Sequence, residues 1–196
     1  MKKKLDIISR EAIYDGFFSM EKIQLKHTLY EGGWSNELTR ELFHRGECVA
    51  VLLYDPKTDE VVLIEQFRMG AIENPEQAWL LEIVAGAIET GETAESVALR
   101  EVAEEANCQV QQLTKIMKFY TTPGGSAEQI HLFCGIVDTT KVGGIHGLKD
   151  EQEDIKVSTV KFDQAYAMLA TGEIESAIAI IAIQWLALNK NQFVAD

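Results

Sequence analysis

From Cys48 onward the apolar positions fall into recognisable periods. Residues 49–54 are an unbroken apolar run and 61–67 nearly so. Between them stands Asp55-Pro56-Lys57-Thr58-Asp59, a stretch of turn formers, so the two runs predict a hairpin. Residues 79–84 predict another strand. The period then changes: over 93–106, Ala94, Val97, Ala98, Val102 and Ala106 recur at helical spacing and supply one apolar face. Strands are predicted near 110–120, 130–137 and 155–162. Two helices, 163–170 and about 175–189, close the chain, parted by Thr171-Gly172. Strands with helices interleaved and late predict an α/β fold, a mixed sheet between helices.

The first forty-five residues read differently. Segments 13–29 and 37–45 are β-prone, and the turn around Glu31-Gly32-Gly33 separates them. They predict a small antiparallel sheet with too little core to stand alone. The organisation is therefore an extension over 1–45 and a main domain over 46–196, with no repeat and no low-complexity tract.

Composition narrows the functional classes. An apolar fraction of 46% and a charged fraction of 25% are those of a globular protein. A net charge of −13 excludes a sequence-independent nucleic-acid binder, which needs a basic footprint. It leaves phosphorylated substrates open, because bound divalent cations reverse a local field. Cys48, Cys108 and Cys134, odd in number and widely spaced, read as reduced thiols. Asp6, Arg10 and Glu11 interrupt the apolar stretch that a signal peptide would need after Met1-Lys-Lys-Lys4. The longest apolar run, 177–188, is too short to span a bilayer. A cytoplasmic protein without nucleic-acid or membrane partners is the expectation.

The chemistry concentrates in residues 86–108. Glu101, Glu104 and Glu105 share one face of the predicted helix, where like charges four apart cost about 0.2–0.5 kcal/mol per pair. A cation between them explains such a cluster better than helix stability does; a solvated acidic face is the competing reading. Oxygen donors without sulfur or imidazole point to Mg²⁺ or Mn²⁺. From Gly86 the chain runs G-x5-E-x7-R-E-U-x-E-E through Glu92, Arg100, Glu101, Val102, Glu104 and Glu105. This resembles the signature of the Nudix hydrolases, which cleave nucleoside diphosphates linked to another group. One position departs: Asn107 stands where the family has Gly, with Cys108 after it in place of an aliphatic residue. Asn tolerates the left-handed conformation that a helix end wants, so the change is conservative.

The resemblance implies a mixed sheet packed between helices and a metal held by Glu101, Glu104, Glu105 and the Ala85 carbonyl, with Arg100 orienting a carboxylate. Arg100 is also placed to pair with Glu104 at i,i+4. Two loops narrow the substrate. In Thr121-Thr122-Pro123-Gly124-Gly125-Ser126, the proline fifteen residues after Cys108 resembles the subfamily that hydrolyses ADP-ribose; a plain turn is the alternative. Residues 143–154 form a glycine-bearing, acid-ended loop of the type that serves as an active-site lid. The resemblance makes Glu151 the general base and Glu153 a further metal ligand, the reverse assignment being the alternative. It places Phe17 and Phe18 against adenine, Arg68 on phosphate or ribose, and Ala87, Thr122, Pro123, Gly124 and Glu128 among substrate contacts. Arg40 and Glu41 come from a partner subunit, in a homodimer that exchanges its N-terminal sheets. A place in the core, the commoner fate of such an aromatic pair, is the alternative for Phe17 and Phe18. His27, His44, His131 and His146 show no convergent pattern.

The expected activity is Mg²⁺-dependent cleavage of ADP-ribose to AMP and ribose 5-phosphate. Hydrolysis of another nucleoside diphosphate sugar, such as GDP-mannose, is the alternative. A module that senses ADP-ribose without cleaving it would be expected to lose Glu101, Glu104, Glu105 or Glu151, all of which are present.

Overall fold

The computed structural model describes residues 2–193; Met1 and residues 194–196, at the two ends of the expected regions, lie outside the described residues. The chain forms two compact units. One runs through Glu47 and takes in Phe119–Ile130; the other holds Cys48–Lys118 and the chain from His131 on.

In the first unit, β1 (Leu5–Asp15), β2 (Ser19–His27) and β3 (Leu38–His44) make an antiparallel sheet in that order. The sequence pattern reads residues 13–29 as one segment, but the chain reverses inside it, with the Gly16 N–H donating to the Phe18 carbonyl (2.9 Å). The strand before that turn begins at Leu5. Two shifts of register, between Ile7 and Ser9 and between Ala12 and Tyr14, break the alternation that would have announced it. Every residue of β1 is exposed, including Leu5, Ile7, Ile8, Ile13 and Tyr14, whereas Ile23 of β2 is buried.

In the second unit the hairpin appears as expected, with β4 (Glu47–Asp55) and β5 (Glu60–Phe67). Nearly every β4 residue is buried, which is why its sequence is a run and not an alternation. The strand expected over 79–84 is two strands, β6 (Trp79–Glu82) and β7 (Val84–Ala87). β6 pairs with β5 and β7 with β4, and buried Ile83 marks the change of partner. After α1 (Ala94–Ala106) come β8 (Gln112–Tyr120), β9 (Gln129–Ile136), β10 (Gly144–His146) and β11 (Ile155–Lys161). The sheet order is β10-β11-β5-β4-β9-β8. β10 lies within the stretch expected to be loop. The chain ends in α2 (Phe162–Thr171) and α3 (Ala177–Asn189), and Gly172 at φ +78° stops α2.

Val97, Ala98, Val102 and Ala106 of α1 bury against Val49, Val51, Leu53, Ile64, Phe133 and Ile155. Each fully buried Val, Leu or Ile is worth about 1.5–3 kcal/mol, so this contact fixes α1 on the sheet. Among the described residues no helix is long and apolar enough to cross a membrane.

Candidate active site

The helix carrying the acids is well defined at both ends. Thr93 caps its start, its Oγ1 accepting from the Ser96 N–H (3.1 Å), while Ser96 Oγ accepts from the Thr93 N–H (3.2 Å). Its other end stops at Asn107, φ 49° and ψ 37°, in the left-handed region. The Asn107 N–H returns to the Val102 carbonyl, as does that of Cys108 at 3.3 Å. The departure from the family pattern thus keeps the backbone geometry that a glycine would supply.

Burial of the apolar face turns Glu101 and Glu105 inward with it. Glu105 is 3% exposed, and its Oε2 accepts the Ala85 N–H at 3.0 Å. Glu101 packs against Gly86, where an added Cβ would overlap its carboxylate. Glycine at 86 is therefore a matter of close approach. Burial pushes the Glu105 carboxyl up to about 8; the Ala85 N–H opposes this, the charges of Glu101 and Glu153 add to it, and Arg68 opposes it weakly. Burial likewise pushes Glu101 up to about 7, opposed by Arg100 and reinforced by Glu104 and Glu153.

Arg100 is the hub of the acidic face. Its Nη1 pairs with Glu101 Oε1 (2.8 Å) and Glu104 Oε2 (3.0 Å), and its Nε lies 3.4 Å from Glu92 Oε1. The contact to Glu101 and the i,i+4 contact to Glu104 are thus both made by the one guanidinium nitrogen. Arg68 Nε donates to Glu82 Oε2 at 2.5 Å. The sequence pattern does not mark Glu82, whose partner Arg68 stands fourteen residues away on another segment. On the late loop, Glu153 Oε2 accepts the Leu148 N–H (3.0 Å), and exposed Glu151 ends a short 3-10 turn over Lys149–Glu151. Ala87, on β7, is exposed opposite Cys48.

Among the described residues no three His, Cys, Asp or Glu side chains are gathered as a ready-made metal cage. Each expected carboxylate ligand has instead a protein donor: Arg100 for Glu101 and Glu104, Ala85 for Glu105, and Leu148 for Glu153. The donor chemistry still fits a hard divalent cation. Only oxygens are offered, and Glu101 and Glu105, both raised by burial, gain from any positive charge placed beside them.

The remaining expected residues fall in the first unit. Phe18 meets the edges of Phe17 (centroids 4.8 Å apart) and Phe43 (5.1 Å), and the Arg45 guanidinium lies over its ring. Phe17 is 93% exposed, so it is no core residue. Buried Glu128 is held by Arg45 Nη1 and by Thr121 Oγ1, each at 2.7 Å. Arg45, like Glu82, was missed by the sequence reading, and nothing in its local pattern marked it. Thr122, Pro123 and Gly124 form an exposed turn closed by the N–H groups of Gly125 and Ser126 on the Thr122 carbonyl. Arg40 and Glu41 are exposed on β3, opposite Ile23 and Lys22.

Comparison with known proteins gives the following likenesses. The NUDIX domain family matches residues 44–181. An ADP-ribose pyrophosphatase of Haemophilus influenzae is 48% identical, covering 97% of this chain and 89% of its own. One of Escherichia coli K12 is 46% identical over 96% and 90%. A GDP-mannose pyrophosphatase of Shigella flexneri is 30% identical over 96% and 98%. A crystal structure of an ADP compounds hydrolase superposes with a TM-score of 0.70 at 20% identity, covering 96% of both chains, and shows the shared fold.

Proposed function

The chain belongs to the Nudix family, and from that premise we propose that it hydrolyses ADP-ribose at the pyrophosphate bond, giving AMP and ribose 5-phosphate. Its kinship to two ADP-ribose pyrophosphatases over nearly the whole chain supports the substrate. The structural observation that carries the chemistry is the pair of buried Glu105 and half-buried Glu101, packed on the N–H of Ala85 and the bare backbone of Gly86.

Enzymes of this kind need divalent metal ions, and Mg²⁺, with Mn²⁺ as a substitute, is the ion proposed here. Glu101, Glu104, Glu105, Glu153 and the Ala85 carbonyl are the ligands proposed for it. Bound there, the ion would supply positive charge against the phosphate oxygens, whose negative charge otherwise repels the electron pair of an attacking water. The chain's own residues do the rest. Arg100 holds Glu101 and Glu104 in place, and the Ala85 N–H fixes the Glu105 oxygen. Glu151 is the proposed base, taking a proton from the attacking water as its oxygen bonds to phosphorus and the bridging oxygen departs. Phe17 and Phe18 offer ring faces to adenine, Arg68 offers a forked donor to phosphate or ribose, and Ala87, Thr122, Pro123, Gly124 and Glu128 are the further contacts proposed, with Arg40 and Glu41 supplied across the dimer.

We place the protein in the cytoplasm, in keeping with three thiols that form no disulfide, and as a homodimer. The dimer would cover β1, whose Leu5, Ile7, Ile8, Ile13 and Tyr14 are all exposed in the single chain.

The deciding experiment compares AMP release from ADP-ribose with GMP release from GDP-mannose at equal concentration, with and without Mg²⁺. Metal-dependent preference for ADP-ribose is expected. Preference for GDP-mannose would favour the second reading, which the 30% identical relative supports. Binding of ADP-ribose without cleavage would make the protein a sensor.

A further inference from the structure

We propose that Gly147 is a positioning residue for the acids of the late loop, acting by letting Glu153 fold back against the chain at that point. The roles given to Glu151 and Glu153 rest on the function proposed above. The stem of the loop is fixed. Gly144, Ile145 and His146 pair in register with Val157, Lys156 and Ile155, and His146 Nε2 is 2.9 Å from the Gly143 carbonyl. Beyond His146 the chain turns at Gly147, φ +101°, into a lobe hydrogen-bonded to itself. The Leu148 carbonyl accepts the N–H groups of both Glu151 and Glu153, each at 3.1 Å. The Leu148 N–H in turn donates to Glu153 Oε2 (3.0 Å), and Gln152, φ +59°, brings the chain back. One residue, Leu148, thus holds both acids.

Gly147 sits at the base of this lobe without room for a side chain. A Cβ there would lie 2.6 Å from Glu153 Cβ and 3.3 Å from its carbonyl carbon and oxygen. None of these atoms is the free end of a side chain, so an alanine displaces the Glu153 backbone itself. The Glu153 carboxylate leaves Leu148 with it, and the turn carrying Glu151 loses its shared acceptor. The charge of Glu153 already reaches Glu101 and Glu105, so its placement bears on the acids of α1.

Gly144 supplies the control. It has nearly the same backbone, φ +104°, but a Cβ there would meet only His146 Nε2, at 3.5 Å. Gly147→Ala and Gly144→Ala therefore share the backbone strain and differ in the approach to Glu153. Mn²⁺ binding by isothermal titration, Mg²⁺ dependence of turnover and Tm are measured for both. Gly147→Ala should weaken Mn²⁺ binding about tenfold or more, the effect of losing support behind a metal ligand, and raise the half-saturating Mg²⁺ in step. Gly144→Ala should lose no more Tm than Gly147→Ala, since it carries the backbone strain without the clash, and should keep the wild-type metal affinity. Equal weakening in both variants, or in neither, overturns the proposal. A second test needs no variant: amide exchange in the wild type should show Leu148, Glu151 and Glu153 protected together, and an unprotected Leu148 amide overturns it. If the wild type binds Mn²⁺ but leaves ADP-ribose intact, the substrate assignment fails while this inference is still decided by the titration.

Discussion

The Glu101 carboxylate rests directly on the backbone of Gly86, with no space for a Cβ between them. The contacted atoms are the movable end of a side chain, so Gly86→Ala should keep the fold and displace the carboxylate. Overpacking of this kind costs about 1–3 kcal/mol. Turnover of ADP-ribose should fall by about two orders of magnitude, in the range of a lost transition-state charge contact. Thermal melting and initial rates check this together. Wild-type turnover in a folded Gly86→Ala protein would remove Glu101 from the site.

The same burial sets a pH dependence. Glu101 and Glu105 have folded-state values raised to about 7 and about 8. The native state therefore holds protons that the unfolded chain has released. Their contribution to stability is present in full below the ordinary carboxylate value, about 4.3, and is lost progressively as pH rises from there through the folded values of about 7 and about 8. In EDTA, the Tm of the wild type should fall across that window relative to Glu105→Gln, which carries no such proton. Adding Mg²⁺ at pH 8 should raise the wild-type Tm and leave that of Glu105→Gln nearly unchanged. Parallel Tm profiles for the two proteins in EDTA would mean that Glu105 is not held as a high-value acid.

Asn107 gives a test of the backbone alone. Its left-handed conformation suits glycine as well as asparagine. Asn107→Gly should leave stability within about 0.5 kcal/mol, whereas Asn107→Ala should cost about 1–2 kcal/mol, measured by urea unfolding. Equal costs would mean that the asparagine side chain, not its backbone, matters there.

What the sequence disclosed and what it concealed have physical causes. The Gly86–Glu105 region was legible because spacing along one helix face fixes which carboxylates come together, and the helix appeared as read. The β4–β5 hairpin was legible because a fully buried strand and a turn-forming pentapeptide are both local signals. The split of residues 79–84 into β6 and β7 was not, because only pairing with β5 and then β4 creates it. β1 was hidden by its own irregularity. Glu82 and Arg45 were missed for a related reason. Their significance comes from distant partners, Arg68 and Glu128, and no local pattern reports a contact made across the fold.

The exposed first strand carries the last prediction. A strand with Leu5, Ile7, Ile8, Ile13 and Tyr14 all open to solvent is unfavourable in an isolated chain, and a second copy related by a two-fold axis would cover it. In the exchanged arrangement proposed for the dimer, Arg40 and Glu41 of one subunit would complete the substrate site of the other. Deleting residues 1–45 should then abolish both the dimer, by sedimentation, and ADP-ribose affinity. A sharper test mixes two inactive proteins, Arg40→Ala and Glu151→Gln, under conditions that exchange subunits. With composite sites, each mixed dimer has one site bearing both defects and one bearing neither, so activity should return to about half that of wild type in the mixed species. With self-contained sites every active centre keeps one defect. No recovery after exchange is demonstrated would therefore assign Arg40 to its own subunit's site and overturn the composite arrangement.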